Sequence, residues 1–407
     1  MSLISPRRGP GRWIVVIPIL LVVLLVGLGV FQYFRAVPAL AARPSVPSSA
    51  TADGAAPSMP WPAKGAAAVG ASDIGVLAVG GTTTPRPMYS VAKIMTAVVL
   101  LDDKPLQPGE QGPAIPVDAT DVASYQKRLA GGESVVKVQA GEAISEYQAL
   151  EGMLIPSGNN IAELVAKWDA GSEAAMTAKL NARAVALGLT NTRFADVSGV
   201  SDQTVSVPSE LVRLGGLAIK NPVISAIIAQ KQAELPVAGV VYNVDYALGQ
   251  ENIVGIKTGS SPEGAANFVF ASSYQLEGRP VLILGAVMGL TTLDEAFAAS
   301  KALIVAVRPN LHIKHLLTAN QTVGQYVAPW GSRTDIVAKD GLDILSWPGM
   351  IVRTHFEARP VNAPIAAGAP VGTFSVKAGD QVMMSRLATD TALPKPPTRY
   401  KLFRTDF

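Results

Sequence analysis

Residues 90–101 of the 407-residue chain read SVAKIMTAVVLL, and their pattern predicts an element at the centre of the fold. Apolar side chains recur at i, i+3, i+4 and i+7 from Val91 to Val98, which predicts a helix. The other faces are mostly apolar too, and Lys93 is the one charged residue in the quoted run. A helix that is apolar almost all round is buried, and a buried ammonium is costly unless it is paired or neutralised. This cost indicates a chemical role for Lys93.

The neighbouring serine suggests what that role is. On a helix, Ser90 and Lys93 would lie one turn apart on the same face, so the amine could reach the hydroxyl. Burial and a second nearby cation would lower the pKa of Lys93, and its neutral amine could then take the Ser90 proton. The S-x-x-K spacing alone is a weak signal, because SYQK at 124–127 also matches it. The polar surroundings of that second match indicate a solvated surface lysine at Lys127.

A second motif, SGN at 157–159, lies between two stretches of helical periodicity. The sequence therefore predicts a tight connection between helices at this point. The hydroxyl of Ser157 could relay a proton to a leaving amine, and the amide of Asn159 could hold a substrate backbone. Taken alone, such a segment is more typical of an ordinary turn.

A third motif, KTG at 257–259, follows the predicted strand 252–256. Period-2 alternation places Gly255, Lys257 and Gly259 on one face of that strand, which clears space around the lysine. Alone, this motif is more typical of a strand end followed by a turn. The order and spacing of all three motifs indicate a serine acyl-transfer site.

Composition excludes several other kinds of site. The three histidines, His312, His315 and His355, all lie in the last quarter of the chain. A Ser-His-Asp triad or a multi-histidine zinc site therefore cannot form in the middle region, and lysine is the side chain left to act as base. The chain has no cysteine and hence no thiolate nucleophile. A net charge of +3 without a long basic run predicts no nucleic-acid partner, and no cofactor is implied.

An uncharged stretch, IVVIPILLVVLLVGLGVF at 14–31, lies near the N-terminus. As a helix it would span roughly 27 Å, close to the thickness of the bilayer hydrocarbon core. Arginines lie on both sides of it, and their distribution favours a cytoplasmic N-terminus. We predict a retained single-pass anchor with the rest of the chain outside the cytoplasm. The alternative is a signal peptide cleaved near Ala41, which would release the protein.

Periodicity and turn residues divide the chain further. Strands are predicted at 66–70 and 74–79 and again near 253–256, 267–273 and 281–288, with a helical stretch between the two groups and a helix at 293–307. This order predicts one sheet assembled from distant segments and covered by helices. The predicted domains are a cytoplasmic basic segment (1–12), a transmembrane helix (13–31), a Pro/Ala/Ser-rich extended linker (32–64), a catalytic domain (65–307), a small all-β domain (308–393) and a non-helical tail (394–407).

The motifs and their surroundings resemble one family. SVAKIMTA at 90–97, LIPSGN at 154–159, NARAVALGLTNTRF at 181–194 and GIKTGSSPEG at 255–264 are similar to stretches of low-molecular-mass penicillin-binding proteins, the serine D-alanyl-D-alanine carboxypeptidases. The resemblance covers roughly residues 65–307. It implies an α/β, β-lactamase/transpeptidase-like fold, in which an antiparallel sheet has helices on both faces and a helical subdomain beside it.

By this resemblance, Ser90 is acylated by a peptidoglycan stem peptide ending in D-Ala-D-Ala, with Lys93 as general base, and water then hydrolyses the acyl-enzyme. Ser157 and Lys257 pass a proton to the departing D-alanine. Inhibition by β-lactams is also implied. The remaining implied site residues bind the substrate: Asn159 holds the peptide, Thr258 and Gly259 belong to the motif that receives its terminal carboxylate, and the N–H groups of Ser90 and Ser260 form the oxyanion hole.

Several features depart from the family pattern or leave alternatives open. Asn160 stands where aspartate is usual, Ser260 replaces a histidine or tyrosine, and the tail lacks the usual C-terminal amphipathic anchor. A class A β-lactamase is disfavoured, because no E-x-x-L-N sequence lies between the second and third motifs. A D,D-endopeptidase or transpeptidase acting on the same peptides remains an alternative. So does a catalytically silent, membrane-tethered scaffold that binds the cell wall.

Overall fold

Helices and strands are described for residues 11–404 in the computed structural model of the chain. The predicted cytoplasmic segment 1–12 therefore lies outside the described residues, apart from its last two positions. The helices are α1 (Gly11–Phe34), α2 (Lys93–Asp103), α3 (Ala119–Ala130), α4 (Glu146–Leu154), α5 (Asn159–Ala170), α6 (Glu173–Ala186), α7 (Pro208–Lys220), α8 (Pro222–Ile228), α9 (Leu293–Val307) and α10 (Thr398–Phe403).

The strands run through both ends of the chain. They are β1 (Ala42–Pro44), β2 (Ser49–Thr51), β3 (Ala66–Ala71), β4 (Gly75–Gly81), β5 (Arg86–Pro87), β6 (Ala114–Pro116), β7 (Ala143–Ser145), β8 (Val205–Ser206), β9 (Gln232–Leu235), β10 (Gly239–Tyr242), β11 (Ile253–Ser261), β12 (Ala265–Leu276), β13 (Arg279–Leu290), β14 (His312–Leu317), β15 (Gln321–Val327), β16 (Arg333–Ala338), β17 (Leu342–Ser346), β18 (Ile351–Ala358), β19 (Pro370–Ala378) and β20 (Gln381–Thr389). The strands predicted near 66, 74, 253, 267 and 281 are confirmed, as is the helix at 293–307.

One compact unit comprises residues 52–313 and 345–350. Its main sheet is antiparallel, with the strand order β11-β12-β13-β3-β4. Alternation along β12 sends Phe268 and Phe270 into one hydrophobic core and Val269 and Ala271 into the other. Helix α9 packs on the first face and α7 on the second. The predicted sheet built from distant segments, with helices on its faces, therefore forms.

Helix α2 lies in the core on the α7 side of this sheet. All residues from Lys93 to Leu101 are buried, and α2 contacts α4, α5, α6 and α7. The predicted buried helix is confirmed, with one difference at its start. Residues Tyr89–Ala92 form a 3₁₀ turn, so Ser90 precedes the α-helix. Tyr89 has a φ of 51°, which right-handed helical geometry does not allow.

The second unit comprises residues up to 51, 314–344 and from 351 onward. Its sheet has seven strands in the order β1-β15-β16-β20-β19-β18-β2. The buried side chains of Val323, Ile336, Phe374 and Leu387 belong to its strands. The predicted all-β segment 308–393 supplies strands β18, β19 and β20 to this sheet.

Two segments differ from the sequence predictions. Part of the predicted extended linker, 32–64, pairs with the second sheet, because β1 and β2 are its two edge strands. An edge strand bonds on one side only and so tolerates the proline spacing that suggested a free tether. The tail predicted as non-helical contains α10. Its prolines precede the helix, with Pro397 at the N-cap, and so do not interrupt it.

Helix α1 is long and apolar enough to cross a membrane, a property that an N-terminal signal sequence shares. Its last turns contact α10. The Arg404 guanidinium donates to the backbone oxygens of Gln32 and Arg35, and the Lys401 ammonium lies 4.7 Å from the centre of the Tyr33 ring. The two ends of the described chain are therefore joined within the second unit.

A close aromatic contact holds the middle of the main sheet. Phe270 on β12 pairs with Gly285 on β13, and a Cβ at Gly285 would lie 2.0 Å from its ring. We expect Gly285→Ala to lower the free energy of unfolding by about 1–3 kcal/mol, because the ring has to leave a packed core. Denaturant unfolding of the detergent-solubilised chain measures the change. The substitution should cost less in a Phe270→Leu background, and an equal cost in both backgrounds would contradict this account.

Candidate active site

The first motif brings a serine hydroxyl and a lysine amine together. Lys93 Nζ lies 2.8 Å from Ser90 Oγ, and Lys93 is fully buried. The turn that carries Ser90 is held by a close backbone approach, because a Cβ at Gly199 would lie 1.8 Å from the Tyr89 carbonyl oxygen. Gly199 also has a φ of 83°. Only glycine meets both conditions at this position.

The surroundings of the Lys93 amine decide which way its lone pair can point. Its nitrogen lies 2.6 Å from Asn159 Oδ1 and 3.0 Å from the carbonyl oxygen of Ser198. Both oxygens are acceptors only, so they take the two N–H bonds of a neutral amine. The lone pair is then left to accept the Ser90 hydroxyl proton. The arrangement suits a neutral lysine that acts as a base.

Electrostatics favour that neutral form. Burial lowers the pKa of Lys93 well below its ordinary value, and the charge of Lys257 lowers it further. Arg128 acts in the same direction, whereas Asp196 and Glu133 raise the pKa. Desolvation is the largest of these effects, so burial is the main cause that shifts the amine toward its uncharged form.

The hydroxyl of Ser157 lies between two lysines. Lys257 Nζ donates to Ser157 Oγ at 3.0 Å, and Lys93 Nζ lies 3.5 Å from the same oxygen. Ser157 has a φ of 67°, a costly conformation for serine that aims its side chain from the connection between α4 and α5. Burial lowers the pKa of Lys257 to about 7, although Asp245 raises it.

Strand β11 brings the third motif alongside the first. A Cβ at Gly259 would lie 2.7 Å from the Met88 carbonyl oxygen and 3.2 Å from the Ser90 nitrogen. Gly259 therefore permits β11 to approach the turn that carries Ser90. Thr258 is buried and Ser260 is exposed on the same strand. The three motifs thus meet: Lys93 contacts the hydroxyls of Ser90 and Ser157, Lys257 contacts Ser157, and Gly259 lies against the Ser90 backbone.

The neighbouring Asn159 and Asn160 make different hydrogen bonds, the first with side chains and the second with backbone groups. Asn159 Nδ2 donates to Glu133 Oε2 at 2.7 Å, while its Oδ1 faces Lys93. Asn160 bonds both backbone groups of Val136, accepting from its N–H at 2.9 Å and donating to its carbonyl at 2.8 Å. An aspartate could not donate to that carbonyl when ionised. The asparagine at 160 therefore ties the 131–138 loop to the start of α5.

The sequence prediction did not include four residues near the two lysines. Ser198 supplies the carbonyl beside Lys93, and Asp196 holds its loop by accepting from the backbone N–H groups of Ser198 at 2.7 Å and Ser201 at 2.9 Å. An aspartate two residues before a serine is an Asx-turn signal that could have found this loop. Asp245 likewise accepts from the backbone N–H of Ala247 at 3.0 Å, two residues on, whereas Glu133 lies on an irregular segment without such a turn.

The second S-x-x-K match has no such geometry. Ser124 donates to Glu163, and Lys127 is exposed. The prediction that Lys127 is a solvated surface lysine is confirmed.

Comparison with known proteins agrees with the fold and the motifs. Residues 55–290 match the family described as D-alanyl-D-alanine carboxypeptidase. A D-alanyl-D-alanine carboxypeptidase of Mycobacterium tuberculosis is 29% identical over 222 residues, which are 53% of this chain and 71% of that protein. A D-alanyl-D-alanine endopeptidase of Pseudomonas aeruginosa is 31% identical over 140 residues, which are 34% of this chain and 42% of that protein.

Solved structures show the same fold. A crystal structure of penicillin-binding protein 5 from Haemophilus influenzae aligns with a TM-score of 0.60 at 17% identity, over 82% of this chain and 99% of that one. A carboxypeptidase structure from Francisella tularensis aligns with a TM-score of 0.59 at 17% identity, over 84% and 96% of the two chains. The predicted fold class is confirmed. Because the family model matches more than half of its residues, this chain belongs to the D-alanyl-D-alanine carboxypeptidase family.

Proposed function

We propose that this chain is an active serine carboxypeptidase that removes the terminal D-alanine from peptidoglycan stem peptides. The observation that carries the proposal is the 2.8 Å approach of the buried Lys93 amine to the Ser90 hydroxyl. A silent scaffold would have no need to keep a desolvated lysine beside a serine, because burial of that amine costs stability.

In the proposed acylation, Ser90 Oγ attacks the carbonyl carbon of the penultimate D-alanine while Lys93 takes its proton. The bond from that carbon to the nitrogen of the terminal D-alanine then breaks. The departing nitrogen takes a proton from the Ser157 hydroxyl, which Lys257 or the newly protonated Lys93 restores. The 3.0 and 3.5 Å distances from the two amines to Ser157 Oγ support this relay. Water attacks the resulting ester and frees the enzyme.

The substrate-binding residues complete the proposal. The backbone N–H groups of Ser90 and Ser260 stabilise the oxyanion, and the close approach that Gly259 permits between β11 and the Ser90 turn supports this pairing. Thr258 binds the terminal carboxylate beside the cationic Lys257. Asn159 uses one Nδ2 hydrogen for Glu133, which leaves the second for a carbonyl of the peptide.

The same attack on a β-lactam opens the ring, so we infer that β-lactams acylate Ser90 and inhibit the enzyme. The endopeptidase relatives favour a second candidate, cleavage of cross-linked stem peptides by the same residues. Both candidates share one acyl-enzyme and differ in what leaves. Which leaving group the enzyme accepts depends on the shape of the peptide that the site admits.

We also propose that the N-terminal helix is retained and holds the catalytic unit outside the cytoplasmic membrane. Leu40 is buried and exchanges two backbone hydrogen bonds with Val361, of 2.8 and 3.1 Å. Arg404 donates to carbonyl oxygens near the end of α1. Cleavage near Ala41 would remove all of these contacts from the second unit.

Covalent labelling tests the nucleophile. We expect fluorescent penicillin to label the wild-type chain and a Ser124→Ala variant, which alters the second S-x-x-K match, and to leave Ser90→Ala unlabelled. The label should remain on the protein, so that its fluorescence migrates with the protein band in denaturing gel electrophoresis. An unlabelled wild type would support the silent scaffold. Release of free D-alanine from a pentapeptide, compared with cleavage of cross-linked dimers, distinguishes the two enzymatic candidates.

The acid-base role of Lys257 predicts a pH effect. Asp245 is buried, and burial raises its pKa to about 6, so it is ionised above that pH and raises the pKa of Lys257. We expect Asp245→Asn to lower the pKa of Lys257, which moves the alkaline limb of the acylation rate to lower pH by roughly half to one unit. Stopped-flow labelling across pH measures it. Asp73→Asn, at a surface ion pair with Arg279, is the control. An unchanged or upward-shifted limb would argue against the role.

Intact-mass measurement of the chain purified from membranes tests the anchor. We expect a mass that includes the N-terminal helix, because α10 contacts α1 and Val361 bridges to Leu40. A mature N-terminus near residue 42, with the protein in the soluble fraction, would show that the helix is a cleaved signal.

A further inference from the structure

The amide of Asn159 is held from both sides. Its Oδ1 lies 2.6 Å from Lys93 Nζ, and its Nδ2 lies 2.7 Å from Glu133 Oε2. The Glu133 carboxylate is in turn held by the Arg128 guanidinium, which also binds Glu163. Glu133 is therefore hydrogen-bonded to the active-site residue Asn159 on one side and ion-paired with Arg128 on the other.

The chemistry of these groups fixes the direction of the amide. An ionised carboxylate only accepts hydrogen bonds, so the Asn159 NH₂ group must face Glu133. The amide oxygen then faces Lys93. Without the carboxylate, rotation of the amide would bring its N–H groups to the lysine. An amide N–H would then donate to the lone pair of the neutral amine. It would compete with the Ser90 hydroxyl, which needs the same lone pair as its proton acceptor.

We infer that Glu133 is a positioning residue, which holds the Asn159 amide so that the Lys93 lone pair stays directed at Ser90. The inference rests on the proposed function of Ser90 and Lys93 and assigns to Glu133 no contact with substrate. Its carboxylate acts through a single hydrogen bond to Asn159.

Geometry separates this role from a general ion-pair role. Glu163 shares Arg128 with Glu133 and also accepts from Ser124, but it has no hydrogen bond to Asn159. Glu163 is therefore a matched control for loss of an Arg128 partner. The charges around Lys93 are those of Lys257, Asp196, Arg128 and Glu133. Arg128 and Glu133 act on the pKa of the amine in opposite directions. Glu133→Gln and Glu133→Ala both remove the Glu133 charge, but only Gln keeps a carbonyl acceptor, so comparing them separates the hydrogen bond from the charge.

Acylation rates with fluorescent penicillin test the inference on the full chain. We expect Glu133→Ala to slow acylation roughly ten- to thirty-fold, as the loss of a hydrogen bond to a charged group predicts. Glu133→Gln should stay within about threefold of wild type, because one Gln oxygen can accept from both Asn159 and Arg128. Glu163→Ala should also stay within about threefold. Glu133→Met, which fills the space but offers only a weak thioether acceptor, should match Glu133→Ala.

A double-mutant cycle tests whether Glu133 acts through Asn159. In an Asn159→Ala background, Glu133→Ala should cause less than a twofold further loss. A full additional loss there would overturn the inference. So would equal rates for Glu133→Ala and Glu163→Ala, a Glu133→Gln variant as slow as Glu133→Ala, or failure of both Glu133→Ala and Glu133→Met to fold. If the wild type itself is not acylated, the proposed function fails as well. If it is acylated and the Glu133 variants keep its rate, only the inference fails.

Discussion

The burial of the Lys93 amine is the constraint on which the rest of the site depends. A lysine inside an apolar helix is tolerated only when its charge is removed or its hydrogen bonds are satisfied. Here Asn159 and the Ser198 carbonyl accept from it, and Ser90 completes its surroundings. The cost of desolvation lowers the pKa of the lysine and makes its amine a base. Burial that costs stability therefore supplies the reactivity.

A second buried lysine lowers the pKa of Lys93 further and adds a second buried charge that needs compensation. Lys257 lowers the pKa of Lys93 by repulsion, and both amines lie near Ser157. Two cations so close require compensation, and each has a buried or half-buried carboxylate near it, Asp196 beside Lys93 and Asp245 beside Lys257. One lysine can then serve as base while the other remains a cation for part of the pH range. The division of labour comes from environment, since the side chains are identical.

Close backbone approach is what brings the three motifs into one site. The motifs are 64 and 100 residues apart, so local structure alone cannot join them. Gly199 and Gly259 let a loop and a strand reach the turn around Ser90, at distances that a side chain would prevent. The main sheet supplies the rigid edge, since β11 pairs with β12 without interruption from Gly255 to Ser261. Precision at the site therefore depends on packing that is remote in sequence.

The elements with strong periodicity and the residues of the three motifs could be predicted from the amino-acid sequence, because helix and strand patterns are local and S-x-x-K, S-G-N and K-T-G have a chemical meaning at short spacing. The groups that complete the site are visible only in the folded chain. The Ser198 carbonyl, Glu133 and Asp245 come from loops whose path depends on long-range contacts. The roles of β1, β2 and α10 were likewise hidden, since edge pairing and end-to-end packing leave little local pattern in a proline-rich stretch.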